Sequence, residues 1–115
     1  MLSHLLNTSN KRISPATDGS EIAAGTTGTH VTDGTPGTSK EILAAGSTRE
    51  SVILSNISDT RIDVSVGTAA VANKGIAIPA GATIELTPRR GCQLAINSTS
   101  TGASKNLAYQ VTATA

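Results

Sequence analysis

Residues 60–66 read Thr60-Arg61-Ile62-Asp63-Val64-Ser65-Val66, a stretch in which apolar and polar side chains alternate. Successive side chains point to opposite faces of a β-strand, so the three apolar residues share one face and the charged residues lie on the other. The stretch therefore predicts a strand with one buried face and one solvated face. Comparable short runs of Val, Ile and Leu continue from Lys40 almost to the end of the sequence.

The same alternation, interrupted by Gly, Pro, Asn and Asp, predicts a series of short strands. Strands 49–55 and 61–66 are neighbours around a turn that contains Asn and Asp, which predicts an antiparallel hairpin. Short strands at nearly regular spacing, without a convincing helix, predict an all-β fold, a small antiparallel β-sandwich or barrel. The predicted strands are 41–44, 49–55, 61–66, 75–78, 83–87, 92–97 and 106–112.

Residues 7–40 have a different composition, dominated by Thr, Ser, Gly, Asn and Asp. Such a segment has too little apolar surface to offset a backbone entropy cost of about 1–2 kcal/mol per residue. We therefore divide the chain into an extended Thr/Ser/Gly-rich arm over residues 1–39 and a β domain over residues 40–115. The arm is interpreted either as a tail without function or as a segment that orders on a partner. Its candidate partner-binding residues form an apolar cluster followed by two cations: Leu2, Leu5, Leu6, Lys11 and Arg12.

The composition limits both the core and the partners. Among 115 residues there is no Phe or Trp, one Tyr and one Cys. A thin aliphatic core of this kind supplies roughly 3–5 kcal/mol and no disulfide can reinforce it internally, so self-association is expected. A net charge of +1, with 9 basic and 8 acidic residues, predicts no nucleic-acid partner. No segment has the roughly 20 apolar residues of a membrane span, so no membrane partner is predicted either.

The sequence has no evident catalytic, cofactor-binding or metal-binding set, so the protein is not expected to be an enzyme and no cofactor is predicted. Both histidines, His4 and His30, lie in the predicted arm, where nothing rigid would hold them beside a nucleophile. Asp59 and Asp63 are interpreted as solvated surface acids rather than as a catalytic pair.

Four residues of the predicted β domain are candidates for either a packing role or a binding role. Cys92 and Tyr109 are expected to be buried, the first in one register with inward-facing Leu94 and Ile96. Arg89 and Arg90 lie on a predicted turn between strands. They are candidates for partner binding, and the alternative is a turn that only adds solubility.

The stretch 47–67 resembles a pattern that recurs in small tailed-phage virion proteins. In that pattern an Arg opens a strand ending in Asn, a short turn follows, and the next strand ends in Gly, as at Arg49, Asn56 and Gly67. The resemblance continues through residues 74–76, 79–81 and 84–86 and into a closing hairpin, and it covers about residues 40–113. The closing hairpin would join residues 94–96 to residues 105–107.

The resemblance implies a structural virion protein that is assembled in the host cytoplasm. It favours a capsid decoration or cement protein that binds the major capsid protein or another virion protein and stabilises the capsid. Such a protein is expected to associate with itself, and a trimer would suit the local threefold axes of a capsid. The alternative is a head or tail fibre component that binds a host receptor or glycan through loops such as residues 98–105.

Overall fold

The structure, a computed structural model, describes residues 25–114. This part of the chain forms eight β-strands and one 3₁₀ helix, Pro88–Arg90, between the sixth and seventh strands. The strands are β1 (Thr26–Val31), β2 (Lys40–Leu43), β3 (Arg49–Asn56), β4 (Ile62–Val66), β5 (Ile76–Ile78), β6 (Thr83–Leu86), β7 (Ile96–Ser100) and β8 (Asn106–Ala113).

The strands form two four-stranded sheets in which neighbouring strands are antiparallel. The first sheet has the order β1-β8-β3-β6 and the second sheet has the order β2-β7-β4-β5. Two stacked sheets with this strand order form a jelly roll, a double-sheet antiparallel architecture. The predicted all-β class is confirmed, with the sandwich rather than the single-sheet barrel as its form.

The core lies between the two sheets and is aliphatic. Val52, Leu54 and Leu107 of the first sheet face apolar residues of the second sheet, and all of these side chains are buried. Cys92 is fully buried, and Tyr109 packs against the core with part of its ring accessible. The predictions of inward-facing Cys92 and Tyr109 are therefore confirmed. The residues contributed by the second sheet are Ile62, Val64, Ile78 and Ile96.

The predicted hairpin between strands 49–55 and 61–66 is wrong, because β3 belongs to the first sheet and β4 to the second. The buried side chain of Asn56 determines this turn. Its amide nitrogen donates to the carbonyl oxygens of Thr60 and Ile78, each at 2.8 Å, and its oxygen accepts from the backbone and hydroxyl of Ser58. The chain therefore crosses from one sheet to the other. The predicted closing hairpin is wrong for the same topological reason, since β7 and β8 lie in different sheets.

The seventh strand begins at Ile96, four residues later than predicted. The 3₁₀ helix and Gly91, whose φ of 86° is left-handed, extend the connection before it. Leu94 therefore lies on a turn with 49% of its surface exposed, and its predicted inward orientation is wrong. The strand continues through three buried hydroxyl residues, so the predicted polar loop begins later than expected: Ser98, Thr99 and Ser100.

The first strand lies inside the segment that the composition assigned to the arm. Thr26–Val31 pairs with β8 in unbroken register, from Thr26 opposite Val111 to Val31 opposite Asn106. Backbone pairing holds this strand, and a Cβ at Gly28 would overlap the hydroxyl end of the Tyr109 side chain, which a larger residue would displace. The arm assignment is thus wrong for residues 26–31. Residues 32–39 connect β1 to β2, and Thr32 among them is buried. Residues 1–24 of the predicted arm, including Leu2, Leu5, Leu6, Lys11 and Arg12, lie outside the described residues.

Candidate interaction surfaces

The predicted pair Arg89 and Arg90 lies in the 3₁₀ helix, and both side chains are exposed. They belong to a surface that we call the arginine turn, residues 88–94. A depression of about 540 Å³ lies here, and its lining combines the two cations with the apolar side chains of Val66 and Leu94. Such a surface suits a partner segment that carries acidic and apolar side chains. The remaining lining residues are Pro88, Gly91 and Gln93.

The arginine turn is held rigidly against the start of β3. Arg49 is 8% exposed, and its Nη1 donates to the carbonyl oxygen of Cys92 at 3.1 Å. Gln93 Nε2 donates in return to the carbonyl oxygen of Arg49 at 3.0 Å. Within the turn, the backbone nitrogens of Arg90 and Cys92 both donate to the carbonyl oxygen of Thr87. The exposed arginines therefore project from a fixed backbone.

Cys92 lies beneath this surface and is sealed from solvent. Its Sγ donates to the carbonyl oxygen of Arg49 at 3.6 Å. Burial raises the pKa of the Cys92 thiol, which keeps it in the poorly nucleophilic protonated form. Neither its position nor its ionisation favours a disulfide with another chain.

Asp59 and Asp63 are each paired with a different cation. Asp59 is exposed and its Oδ1 accepts from Lys105 Nζ at 2.8 Å, which lowers the pKa of that carboxyl. Asp63 is 2% exposed, which corrects its interpretation as a surface acid. Its Oδ2 accepts from the Asn73 backbone nitrogen at 3.1 Å and from Arg61 Nη2 at 3.3 Å.

Asp63 anchors a loop of residues 67–75, the covering loop, which lies over the outer face of the second sheet. Ala70 of this loop is buried, as is Thr99 beside Asp63 on the sheet. Asn97 Nδ2 donates to the carbonyl oxygen of Thr68 at 2.6 Å and fastens the start of the loop. The polar residues of this sheet face therefore stabilise a loop.

His30 joins the two sheets through the interior. It is 8% exposed, and its Nε2 lies 2.8 Å from Ser98 Oγ. That hydroxyl donates its own proton to the carbonyl oxygen of Lys40 at 3.2 Å, so the imidazole Nε2–H is the donor to serine. Burial, with a smaller contribution from the charge of Lys40, lowers the pKa of His30 to about 4. The expectation that nothing rigid would hold this histidine is wrong.

The edge of β1 is a surface that sequence reasoning missed. Thr27, Thr29 and Val31 are exposed on the outer face of the first sheet. Because Thr32 N donates to Lys105 O at 2.9 Å and such bonds alternate along an antiparallel ladder, the backbone groups of these three residues point away from β8. The sequence feature that could have identified this strand is its content of β-branched side chains, which occur at four of its six residues.

Within residues 25–114, no group of three or more His, Cys, Asp or Glu side chains is arranged to hold a metal ion. The described part of the chain also contains no helix long and apolar enough to cross a membrane.

Neither a scan against protein-family models nor a search of curated proteins finds a match for the chain. Among solved structures, the fold is similar to that of a chain from Bacillus endospore appendages, which are described as "a novel family of disulfide-linked pili". The two chains are 15% identical over 90% of this chain and 98% of the other, with a TM-score of 0.50. At this identity the similarity concerns the fold.

Proposed function

We propose that the chain is a structural subunit that assembles with copies of itself and has no catalytic activity. The observation that carries the proposal is the similarity in fold, over 90% of this chain, between its jelly-roll sandwich and a chain from a pilus. A thin aliphatic core of this size gains stability from association, which supports the same conclusion.

The roles of the titratable side chains support a structural protein. His30 bonds across the interior to Ser98, and Asp63 anchors the covering loop. Asp59 pairs with Lys105 at the surface. A general acid or base needs a proton that it can exchange with a bound substrate. Each of these groups instead stabilises a strand, a loop or a turn.

The contacts between copies are proposed to be noncovalent. The chain has a single cysteine, and Cys92 is buried with a raised pKa. This chemistry differs from the disulfide linkage ascribed to the Bacillus appendages. Assemblies of this chain should therefore dissolve in denaturant without a reducing agent.

Within the structural role, we propose a capsid decoration or cement protein located in the virion, with the major capsid protein or another virion protein as its partner. The resemblance of residues 40–113 to small tailed-phage virion proteins supports this, and the rigid arginine turn offers a surface for acidic partner segments. A second candidate is a fibre or appendage subunit, including a head or tail fibre that binds a host receptor or glycan. The fold similarity to a pilus chain favours that candidate.

The primary test is sedimentation velocity of the purified full chain over a wide range of concentration. We expect the mean sedimentation coefficient to rise with concentration, and a single monomeric species at every concentration would contradict self-assembly. Electron microscopy of the concentrated protein and co-sedimentation with undecorated capsids of the source virus then separate the two candidates. Filaments favour an appendage or fibre, and pelleting with capsids favours decoration.

A further inference from the structure

The two described sheets have four edge strands, β1 and β6 in the first sheet and β2 and β5 in the second. An edge strand presents backbone N–H and C=O groups that can pair with another chain. Proteins prevent this pairing with short edges, charged residues, proline or irregular register. The four edges of this sandwich differ in such protection.

Three edges carry these protective features. Strand β5 has three residues and is followed directly by Pro79. Strand β2 contains Lys40 and Glu41, and its register shifts after Glu41. Strand β6 has four residues, includes Glu85 and ends two residues before Pro88. Each of these edges is therefore a poor template for another strand.

The edge of β1 carries none of these features. It is the longest of the four edges, has neither proline nor a formally charged residue, and pairs with β8 in unbroken register. The outward-pointing backbone groups belong to Thr27, Thr29 and Val31. Their side chains are β-branched, the type that packs best across neighbouring strands.

We propose that β1 pairs antiparallel with β1 of a second copy about a two-fold axis, so that the two first sheets form one continuous sheet. This inference rests on the proposed function and identifies the interface. A two-fold axis perpendicular to the sheet keeps inner and outer faces aligned, so Thr29 lies opposite its own counterpart and Thr27 lies opposite Val31. In this register every outward-pointing residue of both strands exchanges two backbone hydrogen bonds with its partner.

The side chains that this register places opposite each other are also compatible. Threonine meets threonine at the axis, and threonine meets valine on either side, so no like charges are opposed. On the inner face Gly28 lies opposite His30, whose imidazole is directed into its own subunit towards Ser98. The interface is isologous and closes as a dimer. Larger assemblies would then use a second surface, for which the arginine turn is available.

The direct test is a Thr29→Cys variant of the full chain, oxidised under mild conditions. Hydrogen-bonded antiparallel pairs have Cα atoms about 5.5 Å apart, within the range that a disulfide spans. We expect a covalent dimer on a non-reducing gel, because the native Cys92 is buried and does not compete. Glu85→Cys, at the equivalent outward position of β6, is the matched control and should stay monomeric on the gel.

The functional test is Thr29→Lys, which places two ammonium groups opposite each other at the axis. We expect the dimer dissociation constant to rise at least tenfold in sedimentation equilibrium. Gln110→Lys, at an exposed residue of β8 on the same sheet face, adds the same charge one strand away from the edge and should leave the constant unchanged. Circular dichroism checks that both variants are folded.

The outcomes separate the two proposals. If the wild-type chain does not self-associate, both fail. If it self-associates but Thr29→Lys associates equally well and Thr29→Cys forms no crosslink, the β1 interface is overturned while the structural proposal stands. Coverage of the β1 edge by residues 1–24 of the same subunit would give that second result.

Discussion

The outer face of the second sheet is covered by the loop of residues 67–75, which buries Asp63 and Thr99. The outer face of the first sheet has no such cover in the described structure, and Thr27 and Gln110 lie exposed on it. The second sheet uses side-chain bonds to hold its own loop, whereas the first relies on the backbone ladder between strands. The exposed backbone groups at the β1 edge of the first sheet can therefore be reached without breaking an internal contact, whereas the outer face of the second sheet is reached only by displacing the covering loop.

The largest expected effect comes from the core that both sheets share. Leu54→Ala removes a fully buried side chain at the centre of β3, so we expect a loss of about 2–5 kcal/mol in the free energy of unfolding. Ile53→Ala, on the half-buried outer face of the same strand, is the matched control and should cost less. Urea denaturation monitored by circular dichroism measures both. Equal losses would contradict the assignment of inner and outer faces.

Acidification should loosen the junction between the sheets. His30 has a pKa of about 4 in the folded protein, below its ordinary value of 6.5, so the unfolded chain takes up a proton first as the pH falls. The unfolding free energy is thus unaffected by His30 above pH 6.5 and declines between 6.5 and 4. Since one pKa unit corresponds to about 1.4 kcal/mol, we expect a loss of about 3 kcal/mol from this group.

The control for this pH dependence is a pair of histidine variants. His30→Gln keeps an amide N–H to donate to Ser98 but does not titrate, so its unfolding free energy should depend less on pH. His4→Gln, in the segment outside the described residues, should retain the wild-type profile. Denaturation at a series of pH values would reject the assignment if the two variants behaved alike.

The cover of the second sheet can be loosened by Asp63→Asn. The change weakens the acceptor for Arg61 and for the Asn73 amide, so we expect a loss of about 1–3 kcal/mol. Amide hydrogen exchange at Asn73 should accelerate while exchange in β3 and β8 changes little. Asp59→Asn, at an exposed ion pair, is the control. If it accelerated exchange at Asn73 as strongly, Asp63 would not be the anchor of the covering loop.

The smallest effect on stability is expected at the arginine turn. Replacing Arg89 and Arg90 together by alanine should change the free energy of unfolding by no more than about 0.5 kcal/mol, because both side chains are exposed and the backbone is held by Arg49 and Gln93. Co-sedimentation with undecorated capsids should weaken if this surface binds acidic segments. Unchanged pelleting by a folded variant would remove the turn from the proposed interface.

Alternating burial made much of the fold predictable from the sequence. In β4 the apolar side chains share one face, and in β3 burial alternates along the strand, so the pattern located these strands within a residue or two. It did not predict the pairing of strands, because Asn56 redirects the chain between sheets through contacts distant in sequence. The polar end of β7 was missed because Ser98 and Ser100 are buried, with hydroxyls bonded to the carbonyl groups of Lys40 in β2 and of Arg61 just before β4.

Of the two candidate surfaces, the sequence predicted the arginine turn and did not predict the β1 edge. Arg89 and Arg90 were recognised because a Pro–Gly turn between strands predicts exposure. The β1 edge was not recognised, since its Thr-rich composition is that of a loop and its inward positions, Gly28 and His30, are not aliphatic. The contacts that fix it, to Tyr109 and Ser98, come from residues far along the chain.

Because Tyr109 lies close to Gly28, the intrinsic absorption and fluorescence of the protein are sensitive to the position of β1. With no tryptophan and one tyrosine, its near-ultraviolet absorption and emission come from a single phenol ring whose hydroxyl lies over β1. Separation of β1 from β8 exposes that ring to water, whereas changes at the far edge of the second sheet leave its surroundings intact. Emission from the unlabelled wild-type chain therefore reports on the surroundings of Tyr109, which include the contact between β8 and the strand of the proposed interface.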